Sequence, residues 1–266
     1  MRALWPGKRT GAAPALLIMA NKGLGDASGQ DLFLEPTASQ ADATPDYMGH
    51  RQRLRERFLN GGPDSLPDYE LLELLLFMAQ PRADTKPIAK ELLRLFGSFA
   101  EVISADADAL RGTKGIGEAG LVALKAVQVA AQRLLKTKIK DQPLIGSWAA
   151  LIDYCTAQMA YNAVEQFRVL YLDRKNKLIA DEAQGEGTVD HTPVYPREVV
   201  KRALELNASA LIMVHNHPSG DPKPSQADID MTRKVKEAAS TVGLTLHDHI
   251  IVSRGGHVSF KTQGLL

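Results

Sequence analysis

The chain has 266 residues and a formal net charge of +1, and 44% of its residues are hydrophobic. This length allows one large domain or two small ones, and the apolar fraction is sufficient for a core. Because 32 basic residues nearly balance 31 acidic ones, no overall field draws the protein to nucleic acid or to an anionic membrane. The single cysteine, Cys155, excludes an internal disulfide and zinc sites built from several thiolates. Any bound metal must therefore use histidine and carboxylate ligands.

Residues 1–46 differ in composition from the rest and predict a disordered leader. The apolar run at 15–20 is far shorter than the roughly 20 residues that a membrane span needs. Pro14 interrupts the approach to this run, which argues against a signal peptide. Residues 21–45 are rich in small and polar residues and show little periodicity, as disordered segments do. We expect a cytoplasmic protein with a dispensable leader.

The spacing of apolar residues over 47–136 predicts a small all-α domain. The predicted helices cover 50–59, 68–80, 85–96, a short stretch after Ser104 and the residues that follow Lys114–Ala119. The charged stretch 137–143 ends in Pro143 and predicts a linker between two domains.

Residues 144–266 alternate strand and helix patterns and predict an α/β domain. Continuous apolar runs rich in β-branched residues indicate strands. Pro196 stands where proline is tolerated, at the first turn of a predicted helix. Helices are predicted over 148–159, 196–207 and 225–242, and strands over 167–173, 178–180, 210–215, 244–252 and 258–260.

The end of the strand 210–215 carries a group of side chains suited to metal binding. Residues two apart in an extended segment face the same side, so His215 and His217 converge while Asn216 points away. A proline-rich loop then leads to Ser225, an N-cap residue, and Asp228 is the third residue of the new helix. The strand end and the helix start can thus bring His215, His217 and Asp228 together.

Two interpretations of this segment compete. Three nitrogen and oxygen ligands with a fourth position left for water are what a catalytic zinc site requires. Alternatively, a His-x-His pair at a strand end is often structural, and Ser225 with Asp228 resembles a capping box. The conjunction favours a metal site, because an ordinary helix start needs no histidine pair before it.

The segment HNHPSGDPKPSQAD resembles the signature of the JAMM (MPN) metalloproteases, and it is most similar to their RadC branch. Further RadC-like segments are GHRQRLRERFL, LPDYELLELLLF, DTKPIAKELL, KGIGEAG, YPREVVKRAL and DHIIVS, so the resemblance covers roughly 47–266. It implies a JAMM/MPN domain over 144–266, with a cytidine-deaminase-like mixed sheet and flanking helices, after a helix-hairpin-helix-like domain. It also implies one Zn²⁺ per chain on His215, His217 and Asp228, with Ser225 stabilising the tetrahedral intermediate.

The resemblance also implies a general-base glutamate upstream of the histidine pair, near the start of the domain's first strand. Glu165 fits that position, and Glu182 and Glu186 are its rivals on the following strand or loop. The base must lie within hydrogen-bond reach of the water that it activates, a distance that sequence does not give. We predict Glu165, with a solvated residue at a helix-to-strand junction as the alternative.

A second His-x-His, His247-Asp248-His249, lies inside a strand and lacks the proline loop. Asp248 or His249 can orient a metal-bound imidazole, but a structural or solvent-facing role is the favoured interpretation. Cys155 has no paired histidine motif and is predicted to be a packed thiol. The remaining histidines, to which we assign no role, are His50, His191 and His257.

Two hypotheses about function follow. The first is a zinc-dependent hydrolase that cleaves peptide or isopeptide bonds in an unknown peptide or protein. The second is a DNA-associated repair or recombination accessory protein with a structural or vestigial zinc site. A weak DNA contact is possible at Lys114-Gly115-Ile116-Gly117, where backbone N–H groups can approach phosphate, or along the arginines 51, 53, 55 and 57.

A zinc nucleobase deaminase is excluded because its signature needs further cysteines, and the His-Glu-x-x-His helix of other metalloproteases is absent.

Overall fold

A computed structural model describes residues 46–140, 143–186 and 194–266. All but the last residue of the predicted leader lies outside this part, so the disorder of the leader stays a prediction. No helix within the described residues combines the length and the apolar content that a membrane crossing needs. The expectation of a cytoplasmic protein is not tested by this finding.

The first half is helical, as predicted. Its core is formed by the apolar faces of neighbouring helices, with Leu72, Leu76, Leu92 and Leu124 fully buried. The helices are α1 (Asp46–Gly61), α2 (Asp68–Ala79), α3 (Lys86–Phe96), α4 (Phe99–Ser104), α5 (Ala107–Arg111) and α6 (Glu118–Ile139).

Helix α4 is not among the predicted helices. It begins after Ser98, whose hydroxyl accepts a hydrogen bond from the backbone N–H of Glu101, a normal N-cap arrangement. A helix of 6 residues is too short to show an apolar period, and only its cap marks it in the sequence. The short helix predicted after Ser104 corresponds to α5.

Helix α6 continues through the first three residues of the predicted linker, to Ile139. Ile139 is fully buried in the core of the second half, and Gln132 on the same helix donates from Nε2 to the carbonyl oxygen of Ala157 at 3.1 Å. The two halves are therefore joined by a helix that packs against the second half.

The second half is a mixed five-stranded sheet with helices on both faces, which confirms the predicted α/β class. Its strands are ordered β2-β1-β3-β4-β5, and only the central pair β3 and β4 is parallel. Helix α7 covers one face, and helices α8 and α9 cover the other. The elements are α7 (Trp148–Met159), β1 (Gln166–Leu172), β2 (Leu178–Glu186), α8 (Pro196–Glu205), β3 (Ala210–Asn216), α9 (Gln226–Thr241), β4 (Thr245–Ser253) and β5 (Gly256–Ser259).

The hairpin between β1 and β2 turns where the sequence predicts. Asp173 Oδ1 accepts hydrogen bonds from the backbone N–H groups of Lys175 and Lys177 at 2.8 and 2.9 Å, and Asn176 adopts a positive φ of 60°, as asparagine tolerates. Strand β2 extends to Glu186, six residues beyond its predicted end.

Candidate metal centre

The end of β3 and the first turn of α9 bring His215, His217 and Asp228 together, as predicted. One ligand atom from each residue lies within 4.8 Å of the others. His215 Nε2 is 3.3 Å from Asp228 Oδ1, and His217 Nε2 is 3.6 Å from Asp228 Oδ2. The two Nε2 atoms are 2.9 Å apart. The His215 side chain is 1% exposed, whereas those of His217 and Asp228 are 16% and 15% exposed, so the cluster is reached from one side.

The N-cap of α9 fixes the direction of the Asp228 carboxylate. The backbone N–H and the hydroxyl of Ser225 both donate to Asp228 Oδ2, at 2.8 and 2.6 Å. In return, Ser225 Oγ accepts from the backbone N–H of Asp228 at 3.2 Å. The capping box that competed with the metal interpretation is thus present, and it leaves Oδ1 of the same carboxylate facing His215.

Hydrogen bonds also determine which nitrogen of His217 is free. His217 Nδ1 lies 2.9 Å from the carbonyl oxygen of Asp221. Because a carbonyl oxygen can only accept, Nδ1 carries the hydrogen. In the neutral ring Nε2 then keeps its lone pair, and this lone pair is directed at the cluster.

A buried chain of hydrogen bonds does the same for His215. Thr232 Oγ1 donates to the carbonyl oxygen of Asp228 at 2.6 Å and therefore accepts from His249 Nδ1, also at 2.6 Å. Burial, and next the His215 ring, hold the pKa of His249 well below its ordinary value, so the ring is neutral. Its Nε2 accepts from His215 Nδ1 at 2.7 Å, which leaves the lone pair of His215 on Nε2.

The cluster therefore presents two imidazole lone pairs and a carboxylate to one point. Burial alone would raise the pKa of Asp228, but hydrogen bonds from the protonated forms of His215 and His217 and from Ser225 outweigh that effect and hold the pKa far below its ordinary value, so the carboxyl group is ionised. Three acceptors at these distances repel one another unless a proton or a metal ion lies between them. Two imidazoles and one carboxylate are also a ligand set that zinc accepts. The residues present thus fit a zinc ion.

Glu165 lies at the same edge of the sheet as His217. Strands β1 and β3 are antiparallel and their pairing ends at Phe167 and His215, so Glu165 and His217 each lie two residues beyond the last pair, at the same end of the two strands. The protonated form of His217 can donate from Nε2 to Asp228, which raises the pKa of His217 against the effect of burial, and the Glu165 carboxylate adds a smaller increase. This placement suits the base predicted from the sequence.

The two rival glutamates are placed differently. Glu182 forms an ion pair with Arg202 on α8, with Oε1 2.6 Å from the guanidinium. This hydrogen-bonded pair lowers the pKa of Glu182, against the effect of burial. Glu186 ends β2, and its side chain lies outside the described residues.

The structure separates the residues of the second His-x-His. His249 is fully buried and its Nε2 lies 2.7 Å from His215 Nδ1, so it does not face solvent, and both a structural role and an orienting role stay predictions. His247 Nε2 bonds Asn176 Oδ1 at 2.7 Å, and Asp248 accepts from Ser259 and from the backbone N–H of Lys261. Thr232 was missed altogether, although it follows Asp228 by four residues and so shares its helix face.

Cys155 lies on α7 and is buried in the core between this helix and the sheet. Burial raises the pKa of its thiol. The prediction of a packed thiol is confirmed. Of the histidines without an assigned role, His50 bonds Glu73 at 3.0 Å, His257 is exposed, and His191 lies outside the described residues.

The arginines considered for DNA contact have partners within the chain. Arg51 donates to the carbonyl oxygens of Pro81 and Ala83, Arg55 lies over the Phe77 ring, and Arg57 pairs with Glu70. Arg53 also makes an interaction within the protein.

The hairpin considered for phosphate contact is also tied to the chain. The side-chain amide of Gln80 donates to the carbonyl oxygen of Gly115 and accepts from the backbone N–H of Gly117, both at 3.1 Å. These contacts explain the arginines and the hairpin as parts of the fold, and DNA contact stays a prediction.

Comparison with known proteins covers both halves of the chain. Residues 145–265 match the family described as a RadC-like JAB domain, and residues 47–122 match the family described as UPF0758 N-terminal. A UPF0758 protein of Rhodobacter capsulatus is 60% identical over 213 residues, which are 80% of this chain and 100% of that protein. A UPF0758 protein of Ruegeria pomeroyi is 57% identical over 223 residues, which are 84% of this chain and 100% of the relative. The resemblance stated from the motifs is thereby confirmed, and the chain belongs to the RadC family.

Proposed function

We propose that this protein is a zinc-dependent hydrolase of the JAMM type that cleaves peptide or isopeptide bonds. The observation that carries the proposal is the convergence of the His215 and His217 lone pairs and the Asp228 carboxylate on one point. A purely structural cluster would not need both imidazole lone pairs directed at a carboxylate. The family assignment supports the fold of such an enzyme, and the activity is our proposal.

The proposed roles follow from the positions of the side chains. His215, His217 and Asp228 would hold the zinc ion, which when bound supplies a Lewis acid and lowers the pKa of water to about 7. Glu165 accepts a proton from the attacking water and transfers it to the leaving nitrogen. The water oxygen forms a bond to the carbonyl carbon while the carbon–nitrogen bond breaks, so the proton taken up at the start is released with the amine.

Ser225 is placed to assist at the carbonyl oxygen. Its side chain is exposed, and its hydroxyl lies 2.6 Å from Asp228 Oδ2, next to the proposed ligands. To donate to the developing oxyanion, the hydroxyl must turn its single hydrogen away from Asp228 Oδ2, which keeps the hydrogen bond from the Ser225 backbone N–H. Such a bond to the oxyanion stabilises the transition state more than the ground state. We therefore assign Ser225 to oxyanion stabilisation, in addition to its role as the N-cap of α9.

The region beside Glu165 offers room for a substrate. A cavity of about 560 Å³ lies between Asn162–Gln166 and the helical half, where Asp106 and Lys125 contribute to its wall. This volume is within the usual range for ligand sites. We propose that the peptide reaches Glu165 through this cavity, with the helical half as one wall.

Two variants test the function together. His217→Ala removes one ligand and should lose both zinc and turnover, whereas Glu165→Gln keeps the ligands and should retain zinc while losing turnover. Zinc content is measured by plasma mass spectrometry. Turnover is measured by incubating a peptide library from a digested proteome with each protein and counting new peptide termini by mass spectrometry. Hydrolysis that persists in both variants would overturn the proposal, as would a wild type that cleaves nothing.

A further inference from the structure

Asn216 lies between the two proposed histidine ligands, but its side chain points to the start of β1. Its Oδ1 accepts from the backbone N–H of Gln166 at 2.8 Å. Its Nδ2 donates to the carbonyl oxygen of Val164 at 3.1 Å and to that of Asn162 at 3.4 Å. The side chain is fully buried, and its hydrogen bonds reach the backbone on both sides of Glu165.

The segment that carries Glu165 has little other support from the sheet. The pairing of β1 with β3 ends at Phe167 and His215, so residues 162–165 lie beyond the ladder. Val164 is 41% exposed and therefore contributes little packing. The amide of Asn216 takes the place of the missing backbone pairs at this point.

We propose that Asn216 is a positioning residue that holds the Glu165 carboxylate beside the metal centre by fixing the backbone on either side of it. This inference rests on the proposed hydrolase function, because it concerns the base of that reaction. The chemistry requires an amide, since one side chain must accept from Gln166 and donate to two carbonyl groups. The same residue is held between His215 and His217, so the ligands and the base share one rigid link.

Two substitutions remove different hydrogen bonds of the Asn216 side chain. Asn216→Asp keeps an acceptor for the Gln166 amide but loses both donors and places an oxygen against two carbonyl groups. Asn216→Ala loses all three contacts. Tyr154→Phe is the matched control, because it removes a buried hydrogen bond to Asp181 elsewhere in the same domain and leaves the Glu165 segment untouched.

The first measurement is amide hydrogen exchange at Gln166, followed by NMR. Exchange should be at least about tenfold faster in Asn216→Ala, because opening of the segment becomes easier, intermediate in Asn216→Asp, which keeps the acceptor but loses both donors, and near the wild-type rate in Tyr154→Phe. Unchanged exchange in Asn216→Ala would overturn the proposal. This result requires no substrate, so it decides whether Asn216 fixes the segment even if the wild type cleaves no peptide and the proposed function fails.

The second measurement is turnover of a peptide that the wild type cleaves, together with zinc content. Both Asn216 variants should retain stoichiometric zinc and lose about 10- to 100-fold in kcat with little change in KM, because a displaced base acts on the reaction and not on binding. In the Glu165→Gln background, Asn216→Ala should cause no further loss. Loss of zinc, or an equal further loss in that background, would show that Asn216 acts through other groups and would overturn the proposal.

Discussion

The two His-x-His segments of this protein lie on neighbouring parallel strands, yet they are used differently. His215 and His217 stand at the end of β3, and both direct Nε2 to the same point. His249, on β4, is buried behind them, and its Nε2 meets His215 at Nδ1, on the side of the ring that faces away from that point. His247 turns away and bonds Asn176 in the β1–β2 turn. The same three-residue pattern thus gives a pair of proposed ligands in one strand and two unrelated roles in the next.

An irregularity in β4 explains the difference. Leu211 pairs with Leu246, but the next residue of β3, Ile212, pairs with Asp248, so His247 is an extra residue in the ladder. Such a bulge reverses the faces of the residues that follow. It places His249 beside Met213, on the face where His215 lies. Simple alternation from Leu246 would have put His249 on the opposite face.

The comparison teaches that position within the strand decides what a histidine pair can do. At the strand end, the chain leaves the ladder after Asn216, so the partly exposed His217 meets the buried His215 at one point. Inside the strand, a histidine is surrounded by buried side chains, here Phe167 and Phe260, and can act only through its neighbours. Three substitutions test this distinction, from the largest expected effect to the smallest.

Replacing a ligand should have the largest effect. His215→Ala leaves two ligands in place of three, and zinc affinity should fall by more than the roughly 100-fold typical of residues that only orient ligands. The measurement is a competition titration with a zinc chelator of known affinity. An affinity within about tenfold of the wild type would remove His215 from the ligand set.

Replacing the residue at the far end of the hydrogen-bond chain should have an intermediate effect. Thr232→Val removes the acceptor of His249 Nδ1, so His215 is less firmly oriented and zinc should bind about 10-fold more weakly. A buried N–H left without a partner should also lower the free energy of unfolding by about 1–3 kcal/mol. Chelator competition and urea unfolding of the zinc-free protein measure the two effects.

The control for this prediction is Thr241→Val on the same helix. Thr241 is exposed, and its hydroxyl bonds the carbonyl oxygen of Ala238 within the helix, far along α9 from Asp228. This variant should bind zinc like the wild type. Equal zinc affinities for both threonine variants would show that His249 does not orient His215.

Replacing the histidine that turns away should have the smallest effect. His247→Ala removes one partly exposed hydrogen bond to Asn176, so the free energy of unfolding should fall by about 0.5–1.5 kcal/mol and zinc affinity should not change. Urea unfolding and the same chelator competition test this pair of expectations. A clear loss of zinc in His247→Ala would mean that the two segments are not separated as the structure indicates.

The sequence was sufficient for the features that depend on local pattern. Apolar periods identified most helices and every strand of the sheet, and the strand end followed by the Ser225 cap predicted which three side chains would converge. Helix α7 was predicted with both of its bounds, Trp148 and Met159. These features are encoded within a few residues of one another, so no tertiary information was needed.

The features that escaped prediction depend on contacts between distant segments. The bulge at His247 leaves no mark in the residue types of β4, so the side chain facing His215 could not be identified. Asn216 was predicted to point away from the cluster, and it does, but its partners at 162–166 become visible only once β1 is paired with β3. The continuation of α6 into the predicted linker is likewise stabilised by burial of Ile139 in the other half.

The most direct test of the central claim is zinc K-edge X-ray absorption of the purified protein, with zinc content measured on the same sample. The account predicts about one zinc per chain, with two imidazole nitrogens at about 2.0–2.1 Å and the remaining ligands oxygen. Cys155 is buried away from the cluster, so no sulfur should appear at about 2.3 Å. A protein that binds no zinc when zinc is supplied, or a spectrum with a sulfur ligand, would contradict the account.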